Sequence, residues 1–293
     1  MKFGACLPYM KRGYERRTTL DWCRGVDSGP FHSISCGERI TSYSQEMRVL
    51  ISAAAALTER VRIVPSLYVL PMHDPVWAAK EIATLDVLSG GRVTAVVGIG
   101  GRPDDYRAVG ASFERRYARL DQGVARMRAI WAGEPVFPGA DPVGPEPVQK
   151  GGPPLLAGSM GPKSTARAVR WADGVYGFSV NADPAVFASA HRTVSAEWQA
   201  AGRSGRPYQA TGFWYSLADG AQSKLREYAF EYLKIGGEAM AHAVAGSMTA
   251  FSRDAVNRAI DAIEAQGYDE CFLVAATAER SEYERAAELI AKR

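Results

Sequence analysis

Short apolar, β-branched runs recur along this chain, and a helical pattern follows nearly every one. The runs are Lys2–Leu7, Phe31–Cys36, Val61–Leu70, Val93–Ile99, Pro154–Ser159, Gly174–Val180, Ala210–Leu217 and Cys271–Ala275. Helical patterns cover Leu20–Val26, Gln45–Thr58, Val76–Leu88, Phe113–Ala132, Lys163–Ala172, Pro184–Ala201, Ala221–Leu233, Arg253–Gln266 and Glu282–Ala291. Strict alternation predicts parallel strands joined by right-handed helical crossovers. Eight such units in 293 residues fit an α/β fold, a (β/α)8 TIM barrel forming one domain over residues 1–293. An open doubly wound sheet satisfies the same alternation, because counting units does not prove closure. Gly133–Pro154 reads as a long loop rather than a domain boundary, since the alternation resumes beyond it. Gly236–Ser247 reads as a second irregular insertion.

Charge and composition remove several function classes. The 35 basic and 32 acidic residues leave a net charge of only +3, and no Lys/Arg block exists to track a nucleic-acid backbone. The longest strongly apolar run, Val49–Leu57, is far short of the about 20 residues a membrane span needs. Met1–Met10 lacks the length and cleavage site of a signal peptide, so a cytoplasmic location is expected. Cys6, Cys23, Cys36 and Cys271 are scattered, which argues against a disulfide framework. His32, His73, His191 and His242 are never spaced as metal ligands, so no metal is expected.

In a barrel the chemistry sits at the C-terminal ends of the strands. Gly158-Ser159-Met160-Gly161-Pro162-Lys163-Ser164 leaves one strand, turns on two glycines and enters a helix. Free N–H groups at such a point suit a phosphate, although a plain strand-to-helix turn has the same composition. Pro162 between Gly161 and Lys163 excludes a Walker A loop. Gly98-Ile99-Gly100-Gly101 lacks the third glycine of a dinucleotide fingerprint, because Pro103 stands there, and no helix is expected to start at once. It reads as a strand end kept small for a flat ligand, or as a packed turn. Glu38-Arg39 after strand two is an acid/base pair, an anion clamp or a surface ion pair. Cys36 has no His placed to activate it as a nucleophile. Tyr176, Phe178, Trp214 and Tyr215 are candidates for an aromatic pocket wall or for core packing.

Several of these segments together resemble the bacterial luciferase-like monooxygenases. Ser89-Gly90-Gly91-Arg92 followed by Val97-Gly98-Ile99-Gly100 is similar to that family's S-G-G-R…G-x-G segment. Leu70-Pro71, Asp74-Pro75 and Ala83-Thr84-Leu85-Asp86 resemble its third strand and helix. Asp105-Tyr106, Gly110, Arg115-Arg116, Arg119-Leu120-Asp121, Trp131, Pro153–Gly158 and Ala172-Asp173-Gly174 continue the match. The resemblance implies reduced FMN, supplied by a separate flavin reductase, or the deazaflavin coenzyme F-420. It implies oxygenation of a small organic substrate with O2, or hydride transfer, in a homodimer. A flavin-binding relative without catalysis is the remaining alternative. By position, the resemblance puts the cofactor phosphate on Gly158, Ser159, Met160 and Gly161. It puts Ser66 and Leu67 beneath the flavin ring, at a bulge that often carries a non-proline cis peptide, and gives Gly98 the task of leaving the ring space. Glu38 and Arg39 fall where family members carry an acidic residue and a catalytic His. Arg39 replaces that His, Asp74 stands where His commonly precedes Pro75, and His73 is one position early. An arginine at this place would stabilise an anionic reduced flavin or a hydroperoxide by charge.

Overall fold

The computed structural model describes all residues, 1–293. Eight parallel strands are observed: β1 Lys2–Cys6, β2 Ser33–Cys36, β3 Arg62–Tyr68, β4 Ala95–Val97, β5 Leu155–Gly158, β6 Gly174–Tyr176, β7 Tyr208–Tyr215 and β8 Glu270–Ala275. Each pairs with its sequence neighbours, and β1 pairs in parallel with β8 from Lys2↔Glu270 to Cys6↔Val274. That last ladder closes the barrel and removes the open-sheet alternative.

The helices are α1 Arg16–Ser28, α2 Met47–Leu57, α3 Pro75–Leu88, α4 Pro103–Ala108, α5 Arg116–Trp131, α6 Pro162–Ala168, α7 Pro184–Ala200, α8 Ala221–Leu233, α9 Glu238–Gly246, α10 Arg253–Gln266 and α11 Arg280–Ile290. Two of them correct the sequence reading. Gly236–Ser247 is not irregular, because it contains α9 after a short 3-10 turn at Lys234–Gly236. A helix does start directly after Arg102, with Pro103 in its first turn, where fixed φ costs nothing and the missing N–H needs no partner. The end of strand three is also shorter than expected, since Leu70–Met72 turns into a 3-10 segment. Gly133–Pro154 is a long loop as expected.

The barrel interior is filled by Val64, Val96, Leu156, Ala210 and Phe272, all buried and drawn from β3, β4, β5, β7 and β8. A larger apolar cluster lies between strands and helices. No helix is long and apolar enough to cross a membrane.

Arginines fasten the helix ends at the N-terminal rim of the barrel. Arg92 spends all five guanidinium donors: Nε on Ser89 O, Nη1 on Thr58 Oγ1 and Val61 O, and Nη2 on Ala55 O and Thr58 O. Two carbonyls at the end of α2, those of Ala55 and of the C-cap Thr58, are thereby satisfied, which a helix C-terminus cannot do alone. Arg60 does the same for the end of α1 through Val26 O, Asp27 O and Gly29 O. Asp86, fully buried in α3, accepts from Gln149 N–H (2.9 Å) and Gln149 Nε2 (2.7 Å), so it pins the long loop.

Lysine keeps the charge of Arg92 but cannot reach five acceptors. Arg92→Lys is expected to destabilise the protein by about 2–3 kcal/mol, on the scale of charged hydrogen bonds lost. A lowered urea midpoint at unchanged slope checks this; an unchanged midpoint contradicts it.

Candidate active site

A cavity of about 910 Å³ opens at the C-terminal ends of the strands. It is lined by Glu38, Arg39, Ser66, Leu67, Gly158, Ser159, Met160 and Gly161 among others, so the barrel brings eight of the nine candidate residues to one space. Gly98 is the exception. It is not on the cavity wall, and a Cβ there would fall 2.7 Å from Leu67 Cδ1. Its lack of a side chain makes room for Leu67 rather than for a ligand ring. Gly158 performs the same service, with a Cβ 2.1 Å from Leu67 Cδ1.

Leu67 sits there because β3 shifts register between Ser66 and Tyr68. The Ser66–Leu67 peptide is cis. The bulge re-aims the strand end, a common device beside active sites. Leu67 thus forms part of the cavity wall over the two glycines.

Glu38 is buried (8% exposed) and held at both oxygens. Oε2 accepts from Val69 N–H at 2.7 Å, and Oε1 lies 2.7 Å from His73 Nε2. His73 does not line the cavity; it backs Glu38 from behind, against the ring of Tyr68 at 4.7 Å. Sequence reading gave His73 no role, since it looked misplaced by one residue. The 3-10 turn at Leu70–Met72, just before it, sets where that ring points.

The segment after β5 enters α6 with Gly161 as its N-cap and Pro162 in the first turn. Ser159 Oγ lies 2.8 Å from both Ser164 Oγ and Thr165 Oγ1, and both of those hydroxyls are also within hydrogen-bond reach of Gly161 O, so three protons are shared among four contacts. This hydroxyl cluster stiffens the turn. Lys163 and Ser164 occupy the first helical turn, where N–H groups have no intrahelical acceptor. Lys163 and Arg167 line the cavity beside it, and Arg167 is ion-paired to Asp121 at 2.5 Å. The helix-start amides and the cationic side chains form a donor set that fits a phosphate, on a turn the hydroxyls hold in shape.

The wall formed after β6 and β7 is aromatic. Trp214 meets Phe178 at 5.7 Å, Tyr228 at 5.4 Å and Tyr232 at 4.7 Å between ring centres. Tyr228 and Tyr232 come from α8 and were not anticipated. Tyr176 also lines the cavity, whereas Tyr215 points outward and donates to Glu282 O at 3.1 Å. The period of two along β7 separates Trp214 from Tyr215 in this way. Cys36 is sealed off from the cavity, and burial pushes its thiol well above the usual range. Cys6 does reach the cavity, but burial raises its pKa to about 11. Neither is a thiolate nucleophile near neutral pH.

Replacing His73 with Leu strands one oxygen of a buried carboxylate. The His73→Leu protein is expected to lose about 1–3 kcal/mol of stability. Thermal or urea unfolding decides, and wild-type stability would contradict the pairing.

Comparison with known proteins follows the same lines. A family model described as luciferase-like monooxygenase matches residues 1–291. An uncharacterized protein of Mycobacterium tuberculosis is 35% identical over 168 residues, covering 54% of this chain and 58% of that protein. The 2,5-diketocamphane 1,2-monooxygenase 1 of Pseudomonas putida is 28% identical over 156 residues, covering 46% and 42%. The chain therefore spans about half the length of the curated relatives it matches. Among solved structures, the monooxygenase RslO1 from Streptomyces bottropensis superposes with a TM-score of 0.80 at 24% identity, covering 100% of this chain and 98% of that one. An F420-dependent secondary alcohol dehydrogenase in complex with an F420-acetone adduct gives 0.80 at 19% identity, with 99% and 98% covered. The oxygenating constituent of 3,6-diketocamphane monooxygenase from Pseudomonas putida, in complex with FMN, gives 0.76 at 20% identity, with 100% and 97% covered. These likenesses establish the shared barrel, and the whole-length family match establishes the rest: the chain belongs to the luciferase-like monooxygenase family.

Proposed function

We propose that this protein is a reduced-FMN-dependent monooxygenase acting on a small organic substrate with O2. The observation that carries the reading is the meeting, in one cavity, of the Ser159–Ser164 donor cluster with the Ser66–Leu67 bulge. Leu67 would lie against a flat ring placed there, and the loop amides with Lys163 would hold its phosphate tail. When bound there, reduced FMN from a separate reductase would supply the electrons that activate O2. The chain's own task is to bind, orient and keep water out. The aromatic wall of Trp214 and Phe178 takes the apolar substrate body. Glu38, locked by Val69 N–H and His73, presents a fixed carboxylate that takes up or returns a proton at the cavity edge. Arg39 adds positive charge on the same side.

A second reading, hydride transfer with coenzyme F-420, draws on the same Glu38–His73 pair, which provides a proton relay at the wall. Side-by-side titration separates the two. FMN is expected to bind at least about tenfold more tightly than riboflavin, since only FMN engages the loop donors. Turnover with reduced FMN under 18O2 is expected to place label in the organic product. Binding of F-420 without FMN favours the second reading, and bound flavin without turnover under any reductant favours a non-catalytic role.

A homodimer is part of the proposal. Val49 on α2 and Trp77, Val87 and Leu88 on α3 are exposed apolar side chains on neighbouring helices. Sedimentation velocity is expected to show a dimer that Trp77→Glu converts to monomer. A monomeric wild type contradicts it.

A further inference from the structure

Two guanidiniums at the cavity mouth have no acceptor within the chain. Arg39 follows β2, lines the cavity and stacks on Tyr232, its Cζ 4.1 Å from the ring centre. Arg102 lies between β4 and α4 and also lines the cavity; its Nε is buried and has no hydrogen-bond partner. Buried donors of this kind are costly to leave unmet. Burial, and then the charge of Arg39, lowers the pKa of Arg102 from its ordinary value. Arg92 and Arg60 spend their donors on backbone carbonyls, whereas Arg116 and Arg226, like Arg102, each keep a buried Nε without a partner.

Asp104 is exposed and does not line the cavity, and the two carboxylates that line it near the pair are already committed. Asp105 accepts from Thr41 N–H at 2.7 Å and from Thr41 Oγ1 at 2.5 Å, and Glu38 is held by Val69 and His73. The Asp105–Thr41 contact also ties the segment after β2 to α4. It therefore fixes the spacing of Arg39 and Arg102, which lie just before its two ends. This pair flanks β2 and β4, whereas the Ser159–Ser164 donors follow β5, so the cavity carries two separate cationic regions. The aromatic wall adjoins the arginine pair through Tyr232, which touches both Arg39 and Trp214.

We infer that Arg39 and Arg102 together grip a carboxylate on the substrate, whose ring body lies against Trp214 and Phe178. This names an aromatic carboxylate as the substrate class for the function proposed above and rests on that reading, although its binding step needs no flavin. Planar guanidinium forks match a carboxylate in bidentate fashion, and a site built from such donors rejects a neutral isostere strongly.

Isothermal titration with naphthalene-2-carboxylate and naphthalene-2-carboxamide, on the full chain with and without FMN, tests the assignment. The carboxylate is expected to bind at least about tenfold more tightly than the amide. That preference is expected to vanish in Arg39→Met and in Arg102→Met, with circular dichroism unchanged. Equal affinities in the wild type, or no carboxylate binding at millimolar concentration, overturn the inference. So does a preference that survives both substitutions. If the substitutions instead weaken FMN and leave the preference intact, the arginines serve the flavin and the inference fails. The tail of F-420 is the other source of a carboxylate. Loss of preference for F-420 over its tailless chromophore, with the naphthalene preference kept, assigns the pair to the cofactor and overturns it. If neither FMN nor F-420 binds yet the arginine-dependent preference holds, the flavin reading falls and the carboxylate site stands.

Discussion

Parallel pairing is the constraint on which everything else in this molecule depends. A parallel strand cannot be reached by a tight turn, so each strand must be followed by a crossover. Right-handed crossovers send every strand in one direction and leave all C-terminal ends at one mouth. Closure of β1 on β8 then removes both sheet edges and turns that mouth into a ring. Residues separated by more than a hundred positions, such as Glu38 and Gly158, come to line one cavity for this reason alone.

Within the ring, one side chain organises the floor. Leu67 is thrown inward by the β3 bulge, and Gly98 and Gly158 on the next two strands lack the side chains that would block it. Around it the cavity divides by chemistry. Hydroxyls, amides and cations gather after β5, aromatic rings after β6 and β7, and a locked carboxylate with two free guanidiniums after β2 and β4. An apolar wall with a few fixed polar groups is what a small-molecule site requires. The protein also shields those polar groups from one another, since Glu38 and Asp105 are both occupied by donors of their own.

Many of the residues that carry the family resemblance serve the scaffold. Arg92 holds the end of α2, Asp86 fastens the long loop and Trp131 donates its indole N–H to Ala79 O at 3.0 Å. Asp105 and Tyr106 anchor the segments after β2 and β4, through Thr41 and the Ile99 carbonyl. Such contacts tolerate little change because each satisfies buried backbone groups that nothing else can reach. A signature of this kind identifies the barrel well and says less about the reaction run inside it.

The sequence by itself determined the number and order of strands, the parallel sense, the long loop after α5 and the mouth as the place to search. Periodicity and strand-to-helix punctuation are local, so they are readable without the rest of the chain. It also placed eight of nine candidate residues at the cavity, because strand ends map onto the mouth by topology. Only the tertiary structure decided closure, the two helices α4 and α9, and the role of Gly98 as space for Leu67. It alone paired His73 with Glu38, turned Tyr215 outward and Trp214 inward, and set Arg102 beside Arg39. Each of these depends on side chains that meet across strands far apart in the chain, a distance that no spacing along the sequence encodes.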